Sequence, residues 1–347
     1  MAQINKPGLH FNTKLYSGNG SNGNAQTGVG FQPDLTWIKC RSNAVSNVLT
    51  DAVRGVNKHI ISNTNAAEVT NTAYVASFDS DGFTLNNDGD VNGSSRTYAS
   101  WNWKAGTTGS GTTTGSGTGK AYSYSVNTTS GFSIVTYKGN GSAGHTIPHH
   151  LGATPSLIIV KNMDSTQSWL VGATVLGWTK NMHLNETGAV ETSSAIWNDT
   201  APTSTVFTVG TNTKCNTNDD DYIAYCFVEK KGFSRFGKYI GNADTNGPYV
   251  YTGFKPAWFM FKRYDAADGW MIMDSTRNPR NVVDKRVEAD SSAVEYTGAD
   301  WFDFLSNGVK IRNSSGGINA SGGGQYLYIA FAEEPLVGTN NIVATAK

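Results

Sequence analysis

The chain has 347 residues, only 16% of them charged, and its 27 basic residues balance its 27 acidic ones. That balance removes electrostatic steering toward nucleic acid or an anionic membrane, and no run of 18 apolar residues exists to cross a bilayer. Glycine reaches 39 residues and cysteine only three. The polar surface must therefore come from Asn, Ser, Thr and Gly, the composition of short strands joined by many turns.

The chain opens on Met1-Ala2-Gln3-Ile4-Asn5-Lys6-Pro7, which lacks the apolar core of a signal peptide, so synthesis in a cytoplasm without export by that route is expected. Residues 1–14 have no counterpart later in the chain and read as an N-terminal arm that frays or docks on a partner. From Leu15 onward the sequence repeats. Tyr16-Ser17-Gly18-Asn19-Gly20 returns as Tyr137-Lys138-Gly139-Asn140-Gly141 and as Tyr239-Ile240-Gly241-Asn242. The stretch Gly30-Phe31-Gln32-Pro33 to Trp37-Ile38-Lys39 returns from Gly152 through Pro155 to Lys161, and from Gly253 through Pro256 to Lys262. A glycine, a proline, an apolar run and a closing lysine spell a turn feeding a buried strand.

Two further features keep the spacing. Residues 63–68 (NTNAAE) match 185–191 (NETGAVE) and 290–295 (DSSAVE), pairing Glu68 with Glu191 and Glu295 as structural positions. Each unit ends on an aromatic strand whose first tyrosine is read as Tyr98, Tyr222 or Tyr328. These lie 65, 67 and 72 residues beyond Pro33, Pro155 and Pro256. Units of this length are domains rather than solenoid repeats.

The expected fold is all-β: three tandem β-sandwich domains of jelly-roll or concanavalin A-like type arising from an internal triplication. The boundaries are repeat 1 at 15–106, repeat 2 at 131–231, repeat 3 at 232–336 and a C-terminal tail at 337–347. Strands are expected at Leu35–Ile38, His59–Ile61, Tyr74–Phe78, Phe83–Leu85 and Tyr98–Trp103. Residues 107–130 are rich in Gly, Ser and Thr and read as a flexible linker. It tethers the first repeat, while the other two pack as a rigid pair. A helix is expected at most at Asn278–Val283.

Candidate sites are few. Asp51 with Arg54, and Asp274 with Arg277, occupy equivalent places and read as structural loop clamps. His145, His149 and His150 could bind Zn²⁺ or Ni²⁺, but no fourth ligand is evident, and solvent-exposed loop histidines are expected. Asp79-Ser80-Asp81-Gly82 and Asn218-Asp219-Asp220-Asp221 resemble pieces of calcium loops without the full pattern, so turns are expected. Gly115 to Lys120 fails the spacing of a phosphate loop: Thr114 stands where glycine is needed and Ala121 where Ser or Thr is needed. Cys226 reads as a buried small hydrophobe, with pairing to Cys215 left open. No nucleophile elbow is present. No catalytic, cofactor or metal residue is assigned, and ligand-binding residues are not identified.

Over nearly its whole length the chain resembles a family of tailed-phage structural proteins, many from marine phages. The likeness rests on Ile4-Asn5-Lys6-Pro7, Phe11 to Tyr16, Gly30 to Asp34, Trp37-Ile38-Lys39, Val53 to Val56, Ser77 to Phe83 and Trp101 to Gly106. It continues through Trp197 to Ser204, Tyr222 to Phe227, Tyr251 to Phe254, Phe304 to Arg312 and Ala330 to Pro335. The resemblance implies a virion or tail-fibre-like protein of lectin-like sandwiches and brings no agreed catalytic or sugar-binding residues. The function expected from it is a non-enzymatic tail-fibre or spike adhesin subunit that contacts host-surface glycan. It would be assembled in the host cytoplasm with other virion proteins as a homo-oligomer, a trimer at the tail being favoured over the capsid surface. A capsid decoration protein and a polysaccharide-degrading tail enzyme are the alternatives.

Overall fold

The apolar run after each repeated proline forms the central strand of a large antiparallel sheet. In a computed structural model that describes residues 3–338 and 343–345, these strands are Leu35–Cys40, Leu157–Asn162 and Phe254–Arg263. Each pairs on one side with the aromatic closing strand (Thr97–Trp103, Asp221–Phe227 or Gln325–Pro335), which in turn pairs with an opening strand. The opening strands are Phe11–Ser17, Phe132–Lys138 and Ser234–Ile240. On its other side each central strand pairs with a fourth strand (Val48–Asp51, Leu170–Ala173 or Met271–Asp274), and that with a fifth. The strand order is therefore the same in all three large sheets. Each is faced by a three-stranded sheet with its own apolar filling, so the chain is all-β and built of sandwiches.

Register fixes the equivalences. Leu35, Leu157 and Trp258 stand opposite Trp103, Phe227 and Phe331. Pro33, Pro155 and Pro256 each lie two residues before them, at equivalent places, although in the third sheet the strand begins earlier and passes the proline through a bulge. The first tyrosine of the third closing strand is Tyr326, which corrects Tyr328. Tyr98, Tyr222 and Tyr326 stack on Tyr16, Tyr137 and Tyr239 at 5.0, 5.1 and 4.5 Å. Their hydroxyls donate to Gly89 O, Thr213 O and Gly316 O, holding the one-turn helices Gly89–Asn92, Thr213–Asn216 and Gly316–Asn319. Those helices end in the buried Asn92, Asn216 and Asn319, whose Oδ1 atoms accept from Asn19 N, Asn140 N and Asn242 N. The repeated Gly-Asn pair is thereby explained. A Cβ on Gly18, Gly139 or Gly241 would collide with the backbone just beyond the helix.

The three large sheets do not face solvent with their outer surfaces. They turn these surfaces toward one another and share a central core that draws on every unit. The equivalent residues Trp103, Phe227 and Phe331 meet there, with ring centroids 6.5, 5.6 and 5.8 Å apart. Central and closing strands are buried on both faces, which is why they read as continuous apolar runs rather than as an alternation. All three units enter one core. The expectation of a tethered first unit beside a rigid pair is corrected.

The linker is corrected too. Thr107–Thr112 and Ala121–Asn127 form a hairpin added to the second large sheet, and Thr114–Gly115 joins the small one. Its glycines leave room for rings: Gly109 lies opposite Tyr124 and Gly111 opposite Tyr122, and a Cβ on either would strike the tyrosine hydroxyl. The arm at 1–14 is likewise part of the fold, apart from residues 1–2, which lie outside the described residues. Ile4 is buried in the central core and donates its N–H to Lys231 O, and Phe11, 1% exposed, begins the opening strand. Asn278–Val283 is irregular rather than helical. Of the tail at 337–347, residues 339–342, 346 and 347 lie outside the described residues.

Truncation in the shared core should be felt by all three sandwiches. Phe331→Ala is expected to cost about 3–5 kcal/mol and to lower a single calorimetric transition. Three separable transitions would show independent sandwiches instead. Removing residues 1–14 is expected to abolish the native fold by circular dichroism, because it deletes Ile4, Phe11 and half of an opening strand.

Candidate functional site

The chemistry-bearing side chains gather where one unit meets the next. A loop of each unit reaches the end of its neighbour's central strand. Glu68 N donates to Met163 O, Val190 N to Tyr264 O and Glu295 N to Arg41 O, at 2.8–2.9 Å. A second set runs alongside. Trp169 Nε1 donates to Ile61 O, Trp270 Nε1 to His183 O and Asn47 Nδ2 to Glu288 O. Unit one thus binds two, two binds three and three binds one. The molecule closes as a ring about a pseudo-threefold axis.

The two loop clamps lie in these junctions. Arg54 Nε meets Asp51 at 2.5 Å and its Nη1 meets Glu68 at 3.1 Å; Arg277 Nε meets Asp274 at 2.6 Å and its Nη1 meets Glu295 at 3.1 Å. Both guanidiniums are buried, and each closes its own hairpin by donating to a carbonyl, Leu49 O or Ile272 O. Burial opposes the Arg54 charge, but Asp51 and Glu68 outweigh it and its pKa is raised. The neighbouring closing strand completes each clamp. Tyr225 OH donates to Asp51 at 2.8 Å, and Trp101 Nε1 donates to Asp274 at 3.1 Å.

In the second unit the same three seats hold Ala173, Leu176 and Val190, and the closing-strand seat opposite holds Ile329. Val190, not Glu191, is the equivalent of Glu68 and Glu295. Glu191 stands one residue on, with its side chain 58% exposed and 4.0 Å from His183. Where the neighbour brings a donor the seat is ionic, and where it brings isoleucine the seat is apolar.

The repeated lysines are buried at the same rim. Lys39 Nζ donates to Ser291 O, Lys161 Nζ to Asn162 O, and Lys262 Nζ to Glu186 O, Thr187 O and Asp268 O. Burial lowers each ammonium to about 8. Lys39 and Lys262 tie loops of adjoining units, whereas Lys161 holds a loop of its own unit.

The remaining candidates are held structurally. His145 and His149 are buried, which corrects the exposed-loop expectation. His145 bonds Asn216 Oδ1 at 3.1 Å and Thr113 Oγ1 at 2.6 Å, while His149 accepts from Leu151 N at 3.2 Å, and burial lowers its pKa to about 4. His150 instead stacks on Tyr124 at 3.7 Å and bonds the Tyr122 hydroxyl. Asp79 accepts from Ser77 and Thr84, and Asp81 accepts from the Gly28 and Gly30 amides, which lower its pKa. Asp219 pairs with Lys120, Asp220 accepts from Asn162 and Asp221 pairs with Lys138. Among the described residues no group of three or more His, Cys, Asp or Glu is placed to hold a metal ion. Cys40, Cys215 and Cys226 are free and buried, and burial pushes the Cys215 thiol up to about 12.

A body of three β-sandwiches that closes its own pseudo-threefold ring is what this geometry defines. The chain belongs to the family described as a domain of unknown function, DUF7483, whose model matches residues 6–335, across all three units. No curated protein and no solved structure matches it.

Two outcomes test the junctions. Asp274→Ala leaves Arg277 Nε and Trp101 Nε1 without their acceptor in a buried junction, with Glu295 the one carboxylate left on Arg277, and should cost about 3–5 kcal/mol in denaturant unfolding. The triple exchange Asp274→Ala, Arg277→Leu and Glu295→Val, which imports the second unit's residues, should cost less than that single change. The second outcome concerns pH. Asp290 accepts from Trp270 N, and burial raises its carboxyl to about 6. Because this folded value lies above the ordinary 3.8, the folded state holds the extra proton. Stability is therefore lost as pH rises from about 4 through 6 and is level above. Asp290→Asn, matching Asn63 and Asn185, should remove that loss and stabilise by about 1–2 kcal/mol at pH 7.

Proposed function

We propose that this chain is a non-catalytic structural protein of a tailed-phage virion, a tail-associated adhesin subunit that works as a homo-oligomer and touches host-surface glycan. The observation that carries this reading is the set of three Gly-Asn loops after the opening strands. Each is pinned by a buried asparagine, Asn92, Asn216 or Asn319, and the three are related by the pseudo-threefold. Pre-ordered polar loops on one rigid body, exposed at Asn19 and Asn242 and tied at Asn140 to Ser116 O and Thr118 O, suit weak, multivalent contact with a repetitive polar surface, where each site alone binds poorly and the set binds well. The resemblance to tailed-phage structural proteins supplies the setting. The three free, buried thiols agree with it, since a body held by burial rather than by disulfides can fold in a reducing cytoplasm and persist outside.

Gold-labelled antibody on intact particles should decorate the tail, and purified protein should compete with particles for adsorption to cells. A regular lattice of label on the head would replace this reading with a capsid decoration role. Steady release of reducing ends from host polysaccharide would replace it with an enzymatic one.

A further inference from the structure

The three equivalent opening strands meet three different fates at their outer edge. In the second unit Ala121–Asn127 pairs along it, and Thr107–Thr112 covers that strand in turn. In the first unit Asn12 Nδ2 donates to Gly8 O and Val29 O, tying the N-terminal segment across the edge, and Lys14 stands at mid-strand. A lysine there deters a further strand. In the third unit the same mid-strand position is Gly237, and among the described residues no strand pairs on the outer side of Ser234–Ile240; only Lys230, in the turn that leads in, bridges Ser234 at its start.

The ladder shows which groups face outward. Ala332 N donates to Phe233 O at one end and Gly241 N to Gly324 O at the other. Arg235, Gly237 and Tyr239 therefore bond the closing strand, and Phe236, Lys238 and Ile240 turn their N–H and C=O groups to the open side. Phe236 N reaches only Glu229 Oε2, at 3.4 Å. The flanks of this edge are apolar and uncovered, Ile240 being 62% exposed and Tyr251 51%. A groove of about 430 Å³ lined by Glu229, Arg235, Tyr251 and Thr252 opens beside it.

We propose that this edge pairs antiparallel with the same edge of a second copy of the chain, about a twofold axis through Gly237. The sequence is self-complementary in that register. Phe236 falls opposite Lys238 of the second copy, and both turn their backbone groups outward, so the pair closes two hydrogen bonds. Arg235 falls opposite Tyr239, so no like charges face each other, and the pairing stops short of Ser234, whose N–H already donates to Lys230 O. Lys238 has no ion-pair partner within the described chain. In the pair it arrives beside Phe236, where Glu229 of the other copy already lies. A register centred on Lys238 would instead set two lysines face to face. Since the chain already closes a pseudo-threefold within itself, a twofold is the simplest symmetry left for joining copies. This proposal stands apart from the virion reading and does not depend on it.

Analytical ultracentrifugation of the full chain tests it. The wild type should sediment at twice 37.1 kDa, dissociating on dilution. Lys238→Pro removes an outward N–H and spares the bonds to the closing strand. It should halve the mass while leaving the melting temperature of the monomer near that of the dissociated wild type. Lys238→Glu sets a carboxylate against Glu229 of the other copy and should also give monomers, so the test survives if the proline variant fails to fold. A wild type that stays at 37.1 kDa at every concentration would overturn the proposal. So would a trimer or larger closed form, or a dimer untouched by both substitutions.

Discussion

Everything in this molecule depends on three aromatic rings meeting at the centre. Trp103, Phe227 and Phe331 occupy one position of three closing strands, and their contact makes three sandwiches into one body. A sheet in an isolated sandwich needs only one apolar face. These sheets bury both, so each closing strand carries apolar or aromatic side chains on its two sides and has little room for charge. Trp37, Trp103 and Trp258 leave their indole N–H groups without a hydrogen-bond partner in that core. Each orphaned donor costs about 1–3 kcal/mol, which ring area and edge-to-face packing must outweigh. A cavity of only about 30 Å³ remains among the rings, so the packing around the axis is close to complete.

The junctions show the same seat filled by two kinds of chemistry. Asp51–Arg54–Glu68 and Asp274–Arg277–Glu295 are ionic, while Ala173–Leu176–Val190 is apolar, and all sit at equivalent places in the ring. Replacing a buried ionic cluster by a well-packed apolar set is often neutral or better for stability, so the charges need not be there to hold the ring. Their partners explain them. Tyr225 and Trp101 bring a donor into a dry interface, and an Asp oxygen satisfies it; Ile329 brings none. The difference also sets the apolar junction apart from the two ionic ones, so that the second unit's loop in an ionic seat would leave Tyr225 or Trp101 without its acceptor. Specificity of order is the contribution most readily assigned to the ionic seats.

Much of this was legible in the sequence because the repeated residues do repeated work. Proline, the apolar run, the closing lysine and the Gly-Asn pair all occupy matching places. The central ring was not legible, although its signal was present: Leu35 to Cys40 and Tyr98 to Trp103 do not alternate, and a sandwich with one solvated face would. Short polar strands were missed for the opposite reason. Asn24–Thr27 has one buried side chain in four, too few to show a period. Glu191 was matched to Glu68 and Glu295 by letter, whereas register gives the place to Val190. Among the candidate sites the Asp-Arg clamps were visible from their spacing. Tyr225 and Trp101, which complete them, came from strands too distant in sequence for any local pattern to link.

The segment at 107–127 shows why composition misleads here. Glycine, serine and threonine in succession usually mean a chain too poor in apolar surface to order itself. In this segment the apolar surface belongs to the partner strand. Tyr122 and Tyr124 lie across the glycines, which are small because the rings need the space, and His150 stacks above them to close the sandwich end. The same device recurs where Gly237 faces Tyr328, but there no further strand covers the edge. A glycine opposite a tyrosine is therefore a sheet signal in this chain. In the hairpin and at Gly237 it marks one edge that the chain seals itself and one that no further strand covers.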